Sequence, residues 1–414
     1  MNTEINAASI IQTDDPVGGL KLNKNEWYII LLLASAFFIS RYDFSLLGLA
    51  LPDIQRDLQI AESDVGPFLG YARFGAVMVI PFAILADRIG RRKLLLSSIL
   101  GFTISSIGTA FVSDWQTFAF FQFSARAFTA ADEVLSVVFI VEEIHVRRRG
   151  LAIGILAAFG GLGEGVAAVI YPFVRGFDEG WRMLYLLAAL PLFLFFLLRR
   201  RIKETGEFTR AAAAGAGTCK DLILIISLHR KKAAALAGLA LVYHLPVTAS
   251  MAMMPKFLQE QHAYSAKEVS ILFIVAGAIA LGGNIAGGKL SDIVGRRIGF
   301  SVACIAMLMG MLLFYLGPVA AVPFGWTLGL TAYLGSHVIF LALASETFPT
   351  VSRATMASAI LAVGALSTAL GLMIEGQLYT HFLDHRYAIL ALLPALGVAA
   401  LLALFVPASA AAKP

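Results

Sequence analysis

Charge is what this sequence has least of. Of 414 residues only 14% are Asp, Glu, Lys or Arg, against about 25% in an ordinary soluble domain. A soluble chain of this length needs charged surface, so a disordered chain and a water-soluble enzyme both fit poorly. Cysteine is nearly missing. Cys219 and Cys304 are distant from each other, which leaves no disulfide framework or thiolate metal pattern. There is no His/Cys/Asp/Glu ligand cluster, nucleophile elbow or redox motif, so neither a cofactor nor an enzymatic activity is expected. Gly283–Lys289 reads as a phosphate-loop fragment, but Leu290 replaces the required Ser or Thr and no strand precedes it. What is present is apolar: 59% of residues are hydrophobic. One bilayer-crossing helix needs about 20 such residues, so the composition has room for twelve and points to an all-α integral membrane protein.

Apolar run lengths predict twelve transmembrane helices. They begin near Trp27, Gly66, Leu94, Thr117, Leu151, Arg182, Ala233, Val269, Ile298, Phe324, Thr355 and Tyr387. The chain divides into a tail (1–26), a six-helix half (27–198), a loop (199–232), a second six-helix half (233–406) and a tail (407–414). Neither a cleavable leader before Trp27 nor an appended domain is expected. A net charge of +5 raises the question of nucleic acid, but the basic residues sit in short clusters between apolar spans and read as a topology signal. Twenty-one of the 32 Lys and Arg residues fall on the side that holds both termini and six on the other, whose first loop is acidic (Asp53, Asp57, Glu62, Asp64). Both termini are therefore expected in the cytoplasm of a multi-pass inner-membrane protein that is surrounded by lipid, binds no nucleic acid and acts as a monomer.

One motif occurs twice. Asp87-Arg88-Ile-Gly90-Arg91-Arg92 follows the second span, and Asp292-Ile-Val-Gly295-Arg296-Arg297 follows the eighth, half a chain away. A duplicated six-helix unit explains this spacing, and such paired units are a transporter architecture. Across nearly its whole length the sequence resembles the major facilitator superfamily, whose most specific motif is this duplicated loop. Further motifs resemble the sugar-porter and metabolite:proton symporter branch: Glu204-Thr-Gly-Glu-Phe208, Ser345-Glu-Thr-Phe-Pro349-Thr-Val-Ser-Arg353 and Arg147-Arg-Arg-Gly150. Two departures stand out. Ala83 replaces the family's usual Gly, and the antiporter Gly-Pro signature of the fifth span is missing. The resemblance implies two six-helix halves rocking around a central site.

For the duplicated motif (Asp87, Arg88, Gly90, Arg91, Arg92; Asp292, Gly295, Arg296, Arg297) the resemblance implies gating. Its carboxylates would accept hydrogen bonds from a neighbouring helix terminus and arginine in one state and release them in the other. Glu142 with Arg147–Arg149, and Glu346 with Arg353, join that network or form plain interfacial pairs.

Charges within apolar spans are costly and usually line a cavity. They concentrate in the first half: Arg41, Asp43, Arg73, Arg126, Asp132, Glu133 and Glu164. The second half offers polar candidates instead: Tyr243, His244, Asn284, Tyr333 and His337. At ~1.5 Å per residue Asp43 lies roughly 13 Å below the outer end of its span, and Arg73 and Arg126 reach comparable depths. Arg41-Tyr42-Asp43 resembles the Gly-Tyr-Asp of proton-coupled sugar porters, which implies that Asp43 carries the proton; a static pair with Arg73 or Arg126 is the competing reading. The family's fourth-span arginine aligns with Gln122, and Arg126 lies one turn deeper on the same face. Whether Asp43, Asp132 or Glu133 partners Arg126 is open at this point. Glu164 reads as a second proton or substrate contact, or as a local pair. Tyr333 and His337 share one face and line the cavity or pack within it.

These readings give proton-coupled uptake of a small polar organic solute, an organic anion or a sugar-like metabolite, with protons as co-substrate. Proton-driven efflux of an amphipathic compound is the alternative, and a non-transporting sensor on the same scaffold is the alternative of another class.

Overall fold

The structure, a computed structural model, describes residues 22–177, 179–200, 204, 229–348 and 353–406. Every regular element among them is helical. The first half contains α1 (Lys24–Leu49), α2 (Leu51–Asp57), α3 (Glu62–Phe74), α4 (Val79–Ile89), α5 (Arg91–Ala110), α6 (Trp115–Glu143), α7 (Val146–Val174) and α8 (Gly180–Arg199). The second contains α9 (Arg230–Gln261), α10 (Ala266–Val294), α11 (Arg296–Leu316), α12 (Val322–Glu346), α13 (Arg353–Phe382), α14 (His385–Leu392) and α15 (Pro394–Phe405). A 3₁₀ turn at Gly75–Met78 joins α3 to α4 within one span. Likewise, α14 and α15 make one span broken at Pro394.

Eleven helical segments among the described residues are long and apolar enough to cross a membrane. The twelfth, α6, is 29 residues long and carries Arg126, Asp132 and Glu133 in its middle. These charges keep it outside the purely apolar set although its length is sufficient to span.

The helices start a few residues before the apolar runs do, because polar caps extend them. Asn23 accepts from the Glu26 amide at 2.8 Å while Glu26 accepts from the Asn23 amide at 2.8 Å. Ser265 and Glu268 repeat this box on α10, and Asp114 caps α6 through the Thr117 amide at 2.8 Å. Each cap satisfies amides that a bare helix end leaves unpaired. The sixth span likewise runs on through Arg199, and the seventh begins at Arg230. Most of the loop between the halves lies outside the described residues.

The duplication is visible in the backbone. Gly90 (φ 107°) and Gly295 (φ 89°) occupy equivalent positions between consecutive helices, in a conformation that only glycine adopts cheaply. Within the halves α1 packs on α7, α5 on α6, α9 on α13, and α12 on both α10 and α11. Between the halves α3 packs on α13 and α7 on α10. A side chain at Gly66 would meet the backbone of Leu372 and Gly376 at 2.5 Å, so this helix crossing between the halves depends on the missing Cβ. Gly70, Gly283 and Gly287 also sit at close crossings, whereas Gly161 and Gly165 face open space and Gly163 meets α1.

Candidate functional site

The charged residues of the first half converge on α1. A side chain at Gly163 would run into the Phe38 carbonyl, and one at Gly75 into the Phe123 carbonyl. Those two close approaches bring α7 to α1 and α3 to α6, and so gather Glu164, Arg41, Asp43, Arg73 and Arg126. At the centre, Arg126 Nη2 donates to Asp43 Oδ2. Asp43 is 0% and Arg126 6% exposed. The pair is incompletely satisfied: Asp43 Oδ1 and Arg126 Nε are both sealed from solvent without a hydrogen-bond partner among the described residues. Arg41 lies beside it, 3.6 Å from Glu133 and 3.8 Å from Glu164, and Ser40 donates to Glu133 at 3.1 Å. These three side chains are each about a third exposed, 32% to 35%, although they sit at span depth, so they face a cavity. Three guanidiniums surround one ring. Arg73 lies over Phe44 at 3.7 Å, Arg126 at 5.2 Å and Arg41 at 5.8 Å from its centroid, close enough for cation–π attraction.

Asp132 is held elsewhere. It pairs with Arg199, which also donates from Nε to the Leu32 carbonyl at 3.2 Å, and it accepts from Ser98 at 3.4 Å. Asp43 therefore partners Arg126, while Glu133 serves Arg41. Gln122 is fully buried and donates to Thr109 at 3.2 Å on the α5 side, so it packs within its half. Tyr243 is also 0% exposed, bonded to Ser336 at 2.7 Å and set against Phe300 and Phe340. Both belong to the packing and not to the cavity wall. His244, His337 and Tyr333 are half-buried and form a chain of rings: His244 to His337 at 6.4 Å, His337 to Tyr333 at 6.0 Å. Tyr333 sits within electrostatic reach of Arg41, Glu164 and Arg73, so α12 faces the charged set of the other half. The Asn284 side chain lies outside the described residues.

At the duplicated motif and its expected partners, the side chains of Asp87, Arg88, Arg147 and Arg353 lie outside the described residues. Among the described residues the following contacts are present. Glu142 pairs with Arg91, while Arg148 turns to Glu26 at 2.6 Å. The Arg92 amide, at the start of α5, donates to Glu204 at 3.0 Å. In the second copy Arg296 contacts Glu346 at 3.0 Å and Asp292 at 2.5 Å, and the Arg297 carbonyl accepts from Ser301 at 2.9 Å. Among the described residues, the Glu142–Arg91, Arg148–Glu26, Arg296–Glu346 and Arg296–Asp292 pairs each join helices of one half.

Cross-half pairs lie at the opposite end, which the charge count assigns to the outside. Lys256 of α9 donates to Gln55 at 2.6 Å and to Glu62 at 3.1 Å. His385 bridges Glu62 at 2.9 Å and Glu375 at 2.6 Å, and Gln259 donates to the Leu49 carbonyl at 3.3 Å. These links tie the two halves together at that end. None of this was anticipated: Glu62 and Lys256 read as loop charges. Arg199 was likewise counted with the inner-loop basic cluster. The signal available for Lys256 was a lone cation at the end of a span beside Pro255.

Comparison with known proteins places the fold and the family. The Major Facilitator Superfamily model matches residues 33–372 and 236–414. The chain is 23% identical over 368 residues to the cis,cis-muconate transport protein of Acinetobacter baylyi, covering 84% of this chain and 87% of that protein. It is 24% identical over 403 residues to the gallate transporter of Pseudomonas putida, covering 88% of each. Among solved structures it resembles a bacterial homologue of the human lysosomal transporter Spinster in an inward-facing, unoccupied conformation, with TM-score 0.79 at 17% identity over 93% of this chain and 98% of that one. It also resembles a D-xylose–proton symporter, with TM-score 0.74 at 18% identity over 94% of this chain and 99% of that one.

Proposed function

We propose that this chain, a transporter that belongs to the Major Facilitator Superfamily, takes up a small organic anion together with a proton by alternating access. The observation that carries the reading is the contrast between two buried pairs. Asp132–Arg199 is anchored by a hydroxyl and a backbone carbonyl, as befits a fixed strut. Asp43–Arg126 leaves a sealed acceptor and a sealed donor without partners. A half-satisfied pair in a low-dielectric site is costly to maintain, and protonation of Asp43 releases it.

Charge balance links proton to anion. Arg41, Arg73 and Arg126 stand against Asp43, Glu133 and Glu164, so the fully ionised set is neutral. One added proton leaves a single excess positive charge, which a monocarboxylate such as gallate cancels. A dicarboxylate such as cis,cis-muconate needs a second proton, for which Glu133 and Glu164 are further acceptors, and the loaded cavity then crosses the membrane without net charge. The proton and the anion favour each other's binding by the same factor. Relatives named for cis,cis-muconate and gallate, and a structural neighbour named a proton symporter, support this reading.

The cross-half links at the end opposite the duplicated motif support an inward-facing state, and the bias of Lys and Arg supports both termini in the cytoplasm, in the inner membrane. The Gly90 and Gly295 loops then serve as inner-face gates that pair across the halves when the outer face opens. The protein acts as a monomer. Reconstituted vesicles under an imposed pH gradient test the proposal: cis,cis-muconate or gallate should accumulate with the gradient, and accumulation that persists after an ionophore collapses it would overturn proton coupling.

A further inference from the structure

Building on the proton-coupled anion reading above, we infer that Arg73 receives the carboxylate of the transported solute, whose planar conjugated body lies toward Tyr333, His337 and His244 of the opposite half.

The arginines within the spans of the first half are not equivalent. Arg126 is taken by Asp43, Arg41 stands between Glu133 and Glu164, and Arg199 is taken by Asp132. Arg73 alone among these four forms neither an ion pair nor a hydrogen bond with the described residues. Its guanidinium rests on the Phe44 ring at 3.7 Å, which occupies one face. Its Nε is sealed, so the open edge is the fork of its two terminal nitrogens. Such a fork matches the two oxygens of a carboxylate. Arginine does not shed its proton, and a permanent charge at span depth without a close partner is unfavourable. An incoming carboxylate supplies that partner and leaves the Asp43–Arg126 couple untouched.

The facing wall defines the rest of the solute. Tyr333 lies within electrostatic reach of Arg73, and its hydroxyl makes no hydrogen bond with the described residues. His244 commits Nδ1 to the Ala240 carbonyl at 2.9 Å and leaves Nε2 open. His337 has a sealed, unpartnered Nδ1 and an open Nε2. Three successive rings, each with an unengaged polar atom, suit a flat conjugated body by stacking and suit polar substituents at its far end. A saturated polyol leaves the Arg73 charge uncompensated.

Binding to the full-length protein in detergent, at one fixed pH and without a gradient, tests this. The probes are gallate, benzoate and cis,cis-muconate, the primary amides of the same acids, and D-xylose. At least one acid should bind about tenfold or more tighter than its amide, the range expected for a charge-assisted pair. Arg73→Gln should bring acid and amide to within about twofold, with unliganded elution and melting unchanged. Arg73→Lys keeps the charge but loses the fork, and should retain the preference at roughly tenfold weaker affinity; it carries the test if Arg73→Gln does not fold. No binding of any acid, tighter binding of amides or D-xylose, or an undiminished acid preference in Arg73→Gln overturns the assignment. Because no gradient is used, the two readings fail separately. Acid binding through Arg73 with gradient-indifferent uptake removes proton coupling alone, and gradient-driven uptake with unaltered preference in Arg73→Gln removes this inference alone.

Discussion

Arg199, the last residue of α8, closes on Asp132 in the middle of α6, and both side chains are buried. Removing one partner strands a charge in a low-dielectric interior, which costs about 3–5 kcal/mol. Asp132→Asn or Arg199→Gln should therefore lower the melting temperature of the purified protein by several degrees. The double change Asp132→Leu with Arg199→Met should recover most of that loss, since an apolar pair of similar volume replaces a buried ion pair at little cost. Gradient-driven uptake by the double variant should persist. Its complete loss at normal stability would show that this pair takes part in coupling.

Neighbouring glycines on α7 should respond in opposite ways. A methyl at Gly163 would meet the Phe38 carbonyl, so Gly163→Ala should push α7 from α1 and destabilise by about 1–3 kcal/mol. Gly161 faces open space, and Gly161→Ala should be neutral or stabilise by up to about 1 kcal/mol through helix propensity. Parallel melting curves check both, and equal effects would contradict the packing described for this crossing.

The outer closure depends on Lys256, 3% exposed, between Gln55, Glu62 and Glu260. Lys256→Met removes the cross-half links to Gln55 and Glu62, while His385 still joins Glu62 to Glu375. A loss of about 1.4 kcal/mol shifts a two-state balance tenfold. A cysteine placed at Ser45, buried in α1, should then react about tenfold faster with an impermeant thiol reagent added from outside. An unchanged rate would mean that these links do not hold the outer end shut.

How much of this was legible beforehand follows from what each residue needs. The twelve helices were legible because length and apolarity are local properties; their starts were set by Asn23, Ser265 and Asp114, whose caps add turns before the apolar run. The duplication was legible through the motif, and the positive φ of Gly90 and Gly295 came only with the backbone. Asp43, Arg41, Glu133 and Glu164 stood out as charges within apolar spans, and the structure gathers them. Their pairing was not legible, because it depends on which helices touch: Gly163 and Gly75 decide that, and a Gly in a membrane helix looks the same whether it meets a backbone or open space. Alignment with the family's fourth-span arginine placed Gln122, and polarity within an apolar span placed Tyr243, among the cavity candidates, but both side chains are buried within their own half. Arg199 followed an apolar run and was followed by more arginines, the pattern of an ordinary inner-loop cluster, although its guanidinium folds back beneath α1.

The central claim is that proton transfer at Asp43 drives accumulation, and the most direct measurement compares Asp43→Asn with wild type in reconstituted vesicles. Asn mimics the protonated carboxyl and cannot ionise. The account predicts that this variant loses accumulation driven by a pH gradient while still exchanging labelled for unlabelled cis,cis-muconate or gallate across the membrane. Gradient-driven accumulation at the wild-type level by Asp43→Asn would contradict it.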